Sequence, residues 1–262
     1  MDIIAKSFAE YKNNFKVCLL FALLLVFVPL FIIPFFKVPF FETGITLSSG
    51  TLFVDYLANA HTPLILLLAV IFLAPYSFFV TLISFAVRRD LSKVKVHFYL
   101  NEMVKKFALK IFTFYLIVFL LTFFIALALS AINIYAVLVF LAIVFIAMVF
   151  FMFVPQVIVV DELPLGLAMR ESISFVRKNL KGALQVLIVG SALLLAVGVF
   201  EYFIDLFFLN VVAVDVFASE FIAGETIAIV ITLVFIVPFI EIIKTFFYML
   251  KFDLIKRHEL AK

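Results

Sequence analysis

The chain has 262 residues, of which 68% are hydrophobic, 18% aromatic and 14% charged, and its net charge is +3. A water-soluble domain has about 25% charged residues, and no soluble core of this length could bury so much apolar surface. The composition therefore excludes a soluble globular protein. The single cysteine, Cys18, excludes an intramolecular disulfide and a cysteine-rich metal site.

The first 16 residues predict an amphipathic helix that lies in the membrane interface. One face carries an apolar stripe and the other carries cations: Ile4, Phe8, Tyr11 and Phe15 against Lys12 and Lys16. We expect no signal peptide, because this polar helix precedes the first apolar run and no A-x-A cleavage site follows it.

Six apolar runs are long enough to cross the hydrocarbon core, which takes about 20 helical residues. They cover residues 17–36, 63–87, 107–131, 136–160, 183–207 and 226–250. Backbone groups in lipid must bond internally, and the runs are too continuous for a barrel, so all six are predicted to be helices.

The cations predict the orientation of the chain. Of its 20 lysines and arginines, every one except Lys37 falls at the termini or in the second and fourth connections. The positive-inside rule then places both termini in the cytoplasm. We expect a multi-pass protein in the plasma membrane of a prokaryote.

Residues 165–184 predict a second interfacial helix that repeats the first. Its apolar stripe is Leu165, Met169, Ile173, Val176 and Leu180, and its polar face includes Arg177, Lys178 and Lys181. A shift of 165 positions superimposes Ser7 on Ser172 and Asn14 on Asn179. We expect these Ser and Asn side chains to hydrogen-bond to a neighbouring helix end.

The even-numbered spans extend this repeat, because each carries a proline: Pro75, Pro155 and Pro238. The predicted fold is an all-α polytopic bundle of three parallel hairpins, each led by a cytoplasmic interfacial helix. The repeats cover about 1–88, 89–163 and 164–262 of one membrane domain. The middle leader is the weakest copy: it keeps the stripe of Val96, Leu100, Met103 and Phe107 but lacks the Ser and Asn.

A few polar residues fall inside the spans. Glu201 and Asp205 share a face of the fifth span, where they could bind a cation or relay a proton, although solvated carboxylates near the outer headgroups are the simpler interpretation. Glu241 and Lys244 predict an ion pair near the inner boundary, with Lys244 reaching toward the headgroups. Gln156, beside Pro155, is expected to satisfy a carbonyl released by a kink.

The sequence offers little support for an enzyme. It contains no Walker-type glycine loop, no HExxH and no GxSxG motif. His61, His97 and His258 lie in different connections without ligand spacing. We therefore expect no catalytic residues, no metal, no cofactor and no nucleic-acid partner.

Residues 154–186 carry a recurrent order of features: a proline, an acidic residue, an Ala-x-x-x-Ser helix, a basic-Asn pair and a new span. Here they are Pro155, Asp161, Ala168, Ser172 and Lys178-Asn179. This segment resembles the six-helix membrane module of some glycerophosphodiester phosphodiesterases and of stand-alone prokaryotic membrane proteins. The resemblance implies a fold and no hydrolase activity, because no phosphodiesterase domain follows Lys262.

Three functions fit this pattern. The leading hypothesis is a non-enzymatic module that acts through lipids or a protein partner at its basic cytoplasmic face, where each cation near anionic headgroups adds about 1 kcal/mol of attraction. The first alternative is the permease subunit of an ATP-driven exporter, with residues 88–106 docking the ATPase. The second is a small channel, which would need a polar pore-lining stripe that the spans hardly provide.

Overall fold

The structure is a computed structural model that describes residues 3–23, 25, 62–92, 100–130, 132–207 and 227–251. Helices are the only regular elements in these ranges, which confirms the all-α class. Five helices are long and apolar enough to cross a membrane: Ala69–Asp90, Asn101–Leu129, Tyr135–Val160, Leu180–Ile204 and Ile227–Leu250. They match the second to sixth predicted spans, whereas most of the first, 17–36, lies outside the described residues.

Two of the predicted leaders are separate helices that end at an asparagine, and their place in a membrane interface stays a prediction. Helix α1 covers Ile3–Asn13, and a turn at Asn14 separates it from α2, residues 15–23. In the same way, a turn at Asn179 follows the helix Leu165–Lys178 and precedes the helix Leu180–Phe207. Asparagine favours such breaks, since its side chain competes for backbone hydrogen bonds.

The middle leader differs, because no such break interrupts it. Helix α3 covers Thr62–Ser92, and α4 covers Leu100–Met103. Helix α4 continues through a π-helical segment, Val104–Ala108, into α5, Leu109–Ser130. If Phe107 is matched to Phe15, then Lys106 stands at the position of Asn14. A π-helical segment lies where the asparagine is missing.

The fourth span is broken at its proline. Helix α6 covers Ile134–Phe151, and its N-terminus is capped by the Asn133 side chain, which accepts a hydrogen bond from the amide of Tyr135. Two turn residues then lead into α7, Val154–Val160, with Pro155 in its first turn, where the missing N–H has no cost. The predicted kink is therefore a short interruption of the helix.

The remaining helices are α8, Leu165–Lys178, and α9, Leu180–Phe207, followed by α10, residues 227–231. A second π-helical segment, Thr232–Ile236, joins α10 to α11, Val237–Lys251. The π-helical segment ends two residues before Pro238.

The chain divides into two compact units that interleave in sequence. The first unit comprises Met1–Ile33, Leu82–Lys95 and Leu180–Lys262, and within it α1 and α9 both pack against α11. The second comprises Pro34–Thr81 and Val96–Asn179, and within it α8 packs against α6 and α7. The single domain with three repeats stays a prediction.

The spans differ in how much protein covers them. Half of the most apolar window of the last span is buried, against 11% for Asn101–Leu129 and 17% for Leu180–Ile204. Exposed side chains on these helices include Ile143 and Leu195, the latter 70% exposed. Apolar faces of this extent need a lipid environment.

Candidate functional site

A buried ion pair lies on α11. The Lys244 Nζ atom is 2.7 Å from Glu241 Oε1, and the two side chains are 9% and 5% exposed. The ion pair that the i,i+3 spacing predicted is thus formed. The Lys244 ammonium group is buried against Glu241, and its reach toward the headgroups stays a prediction.

Two buried hydroxyls extend this polar cluster from α11 to α3. The Thr245 hydroxyl donates to the Glu241 carbonyl oxygen at 2.8 Å, and its Oγ1 atom lies 3.3 Å from Ser84 Oγ. All four side chains are buried. Such a network fixes how these helices pack, because a polar group left without a bond would carry a desolvation cost.

Helix α1 donates a hydrogen bond to the π-helical segment that precedes Pro238. Proline has no N–H, so the carbonyl four residues earlier, that of Val234, loses its usual helical donor. The Tyr11 hydroxyl donates to this carbonyl at 3.0 Å. The Tyr11 ring also packs edge-to-face on Phe235, with centroids 5.2 Å apart.

The break before Pro155 receives a hydrogen bond from α8. The Ser172 hydroxyl donates at 2.8 Å to the carbonyl of Phe150, in the last turn of α6. The hydrogen bond expected from Ser172 to a neighbouring helix end is therefore present. Ser7, its counterpart, is fully buried, but the described residues offer its Oγ atom no hydrogen-bond partner.

The two asparagines bond within their own helices instead. The Asn14 Nδ2 atom donates to the Glu10 carbonyl at 3.1 Å, and Asn179 Nδ2 donates to the Phe175 carbonyl at 3.0 Å. The prediction that Asn14 and Asn179 bond to a neighbouring helix end is wrong for these two hydrogen bonds. Each asparagine terminates its own helix, which explains why both stand at the turn.

Burial follows the same order in both copies. The buried face of the first runs through Ser7, Tyr11, Cys18 and Phe21, and the residues 165 positions later, Ser172, Val176, Ala183 and Val186, are buried too. This face is rotated from the predicted stripe: Phe8 and Phe15 are exposed and Met169 is only half-buried. The small Ser and Ala side chains permit the close helix contacts that the larger apolar residues would prevent.

The candidate headgroup ligands all reach the surface of the protein. Lys12, Lys16, Arg177, Lys178 and Lys181 are exposed, and each stands within four residues of a helix break at Asn14 or Asn179. A further cation, Lys106, forms an ion pair with Glu162. Exposed cations at such positions can contact phosphate groups without a large desolvation cost.

A carboxyl pair that the sequence did not reveal lies between α1 and the end of α3. Burial raises the pKa of the Glu10 carboxyl above its ordinary value of 4.5, and the charge of Asp90 and a hydrogen bond with it raise that pKa further. Asp90 also contacts Arg89 at 3.2 Å. The nearby charge of Asp90 makes ionisation of the half-buried Glu10 carboxyl more costly.

This pair predicts a pH dependence that Glu10→Gln should remove. Because the folded protein holds the proton more tightly, the pair stabilises the fold fully below pH 4.5, and that contribution is lost as pH rises through the raised pKa. Glutamine can still donate to Asp90 and does not ionise. We expect the variant to match the parent near about pH 4 and to melt higher near about pH 8.

Thermal unfolding of the detergent-solubilised protein across this pH range measures the effect. Glu171→Gln, which removes a carboxylate on α8, is the matched control and should keep the pH profile of the parent. An unchanged profile in Glu10→Gln would contradict the raised pKa of Glu10.

The other candidates do not join this cluster. Gln156 is fully buried in α7, in the second unit. Glu201 is half-buried on α9 and lines a cleft. Asp205 lies one turn further along the same helix. Within the described ranges, no three His, Cys, Asp or Glu side chains come together as metal ligands would.

No protein-family model, curated protein or solved structure matches this chain. The class that the structure defines is a helical protein with several helices fit to cross a membrane.

Proposed function

We propose that this chain is a non-enzymatic membrane protein whose cytoplasmic face binds anionic lipid headgroups. The observation that carries the proposal is the placement of exposed cations beside two docked helices. Lys12 and Lys16 flank the break after α1, and Arg177, Lys178 and Lys181 flank the break after α8. Each of these two helices donates a hydrogen bond to a neighbouring span, and this bond holds in place the helix beside which the cations lie.

We also propose a topology for the chain: six spans in three parallel hairpins, interfacial leader helices and both termini in the cytoplasm of a prokaryote. Two observations support it. Burial repeats at a shift of 165 positions, and both leaders donate a hydrogen bond to a carbonyl four or five residues before a proline. The resemblance to the six-helix phosphodiesterase module belongs to this proposal as a statement about fold alone.

Charge reversal tests the lipid role. In Arg177→Glu/Lys178→Glu/Lys181→Glu, three attractions of about 1 kcal/mol each are lost, so affinity for anionic lipid should fall by about two orders of magnitude. The measurement is the amount of phosphatidylglycerol that co-purifies with the full-length protein in a mild detergent.

The matched control keeps the charge at the same positions: Arg177→Lys/Lys178→Arg/Lys181→Arg should retain the lipid. Equal lipid in the reversed and control variants would refute the proposed role. A stoichiometric protein co-purifying with the intact chain would instead favour a protein partner at this face.

A further inference from the structure

A cleft opens between α9 and the start of the last span, within the first unit. Its volume is about 350 Å³. Its wall is apolar, with Leu194, Val197 and Leu233 among its residues, apart from the Glu201 carboxylate and the Thr232 hydroxyl. Thr232 begins the π-helical segment, and such segments recur at functional sites.

The wall of the cleft includes a glycine that borders open space. Gly198 lines it, and a methyl group added at Gly198 would meet no atom within 4 Å. A glycine in the middle of a helix lowers stability by about 1 kcal/mol relative to alanine, and close packing does not require one here. Its absent side chain leaves room for a ligand.

The cleft continues into a groove along the surface of α9. The groove has a volume of about 630 Å³ and shares Leu194 and Gly198 with the cleft. It extends from Ser191 to Tyr202, which is about 16 Å of helix. Leu195 and Val199 on its floor are exposed, so in a membrane this surface contacts acyl chains.

The level of Glu201 in the membrane follows from its helix. The apolar span ends at Ile204, three residues beyond Glu201, whichever side that end faces. A carboxylate at this depth is adjacent to the headgroups, where the ammonium group of an aminolipid is found. Opposite charges attract more strongly beside apolar walls than in water.

We propose that this cleft binds an aminolipid, with its ammonium group on Glu201 and one acyl chain in the groove along α9. The Thr232 hydroxyl is placed to donate to the lipid's phosphate or glycerol oxygens. Charge complementarity selects the occupant: a carboxylate in an apolar cleft attracts an ammonium and repels an anionic headgroup. The site is separate from the cations of the inner-face proposal and does not depend on them.

Lipid retention measures this selectivity. The full-length protein is reconstituted with equal phosphatidylethanolamine and phosphatidylglycerol, then partly delipidated, and the retained lipids are quantified by mass spectrometry. Glu201→Gln keeps the shape of the side chain but loses its charge, so the retained phosphatidylethanolamine-to-phosphatidylglycerol ratio should fall about tenfold, as loss of one charged hydrogen bond implies. Glu171→Gln should leave the ratio unchanged.

Gly198→Leu is the second variant, because it adds a side chain to the cleft wall with Glu201 intact, and its β-carbon meets no atom within 4 Å. It should release phosphatidylethanolamine while the helical content stays that of the parent. If either variant, folded, retains as much phosphatidylethanolamine as the parent, the site does not bind an aminolipid. If Glu201→Gln does not fold, Gly198→Leu alone decides.

Discussion

Replacing Lys244 with methionine should destabilise the protein by about 3 to 5 kcal/mol, the largest effect that we expect of any single substitution. Methionine preserves much of the side-chain volume but leaves Glu241 buried without its partner. The cost comes from the uncompensated charge, since the carboxylate is 5% exposed and has little access to solvent. Unfolding of the purified protein in increasing concentrations of dodecyl sulfate measures this change.

Two controls separate charge from packing. Lys106→Met removes the cation from the ion pair with Glu162. Because the Lys106 side chain is 40% exposed, this change should cost less than about 1 kcal/mol of stability. The double variant Glu241→Leu/Lys244→Met removes both buried charges and should recover most of the stability. A loss below about 1 kcal/mol in Lys244→Met would mean that the pair does not hold Glu241 in the folded protein.

Gly182→Ala should cost about 1 to 3 kcal/mol, although alanine favours a helix over glycine. The β-carbon would lie 2.1 Å from Cζ and 2.5 Å from Cε2 of Phe247. This ring is 5% exposed and lies on α11, where α9 packs against it. The methyl group can therefore enter only if the ring or a helix moves.

The matched control is Gly166→Ala on α8, where an added β-carbon meets no atom within 4 Å and stability should hold or rise slightly. Phe247→Leu in the Gly182→Ala background should restore part of the loss by removing the ring atoms that clash. The same unfolding assay applies. If Gly182→Ala is as stable as Gly166→Ala, the close approach of α9 to α11 is wrong.

Most of the secondary structure follows from local sequence. Long apolar runs have one way to satisfy their backbone in lipid, so the second to sixth spans match the described helices closely. The helix breaks at Asn14, Asn179 and Pro155 also coincide with residues that disfavour a continuous helix. The sequence pattern did not predict the π-helical segment Val104–Ala108.

Whether a polar contact could be predicted depends on how far apart its two residues are in the sequence. Glu241 and Lys244 are three residues apart on one helix, so their ion pair was predictable. The Tyr11–Val234 bond joins positions 223 apart, and the Thr245–Ser84 contact joins positions 161 apart. No spacing rule relates such residues, because helices of one bundle can pack in many orders with the same local pattern.

The sequence by itself determined a helical chain with several membrane-crossing helices, because helical periodicity and apolar length are local properties. It also predicted the repeat that relates Ser7 to Ser172. Only the tertiary structure decided which face of each leader is buried and which carbonyls accept hydrogen bonds from Tyr11 and Ser172. It also decided that the Glu10 carboxyl lies near Asp90. These outcomes depend on which helices become neighbours, and that choice is made by close packing and hydrogen-bond satisfaction between distant segments.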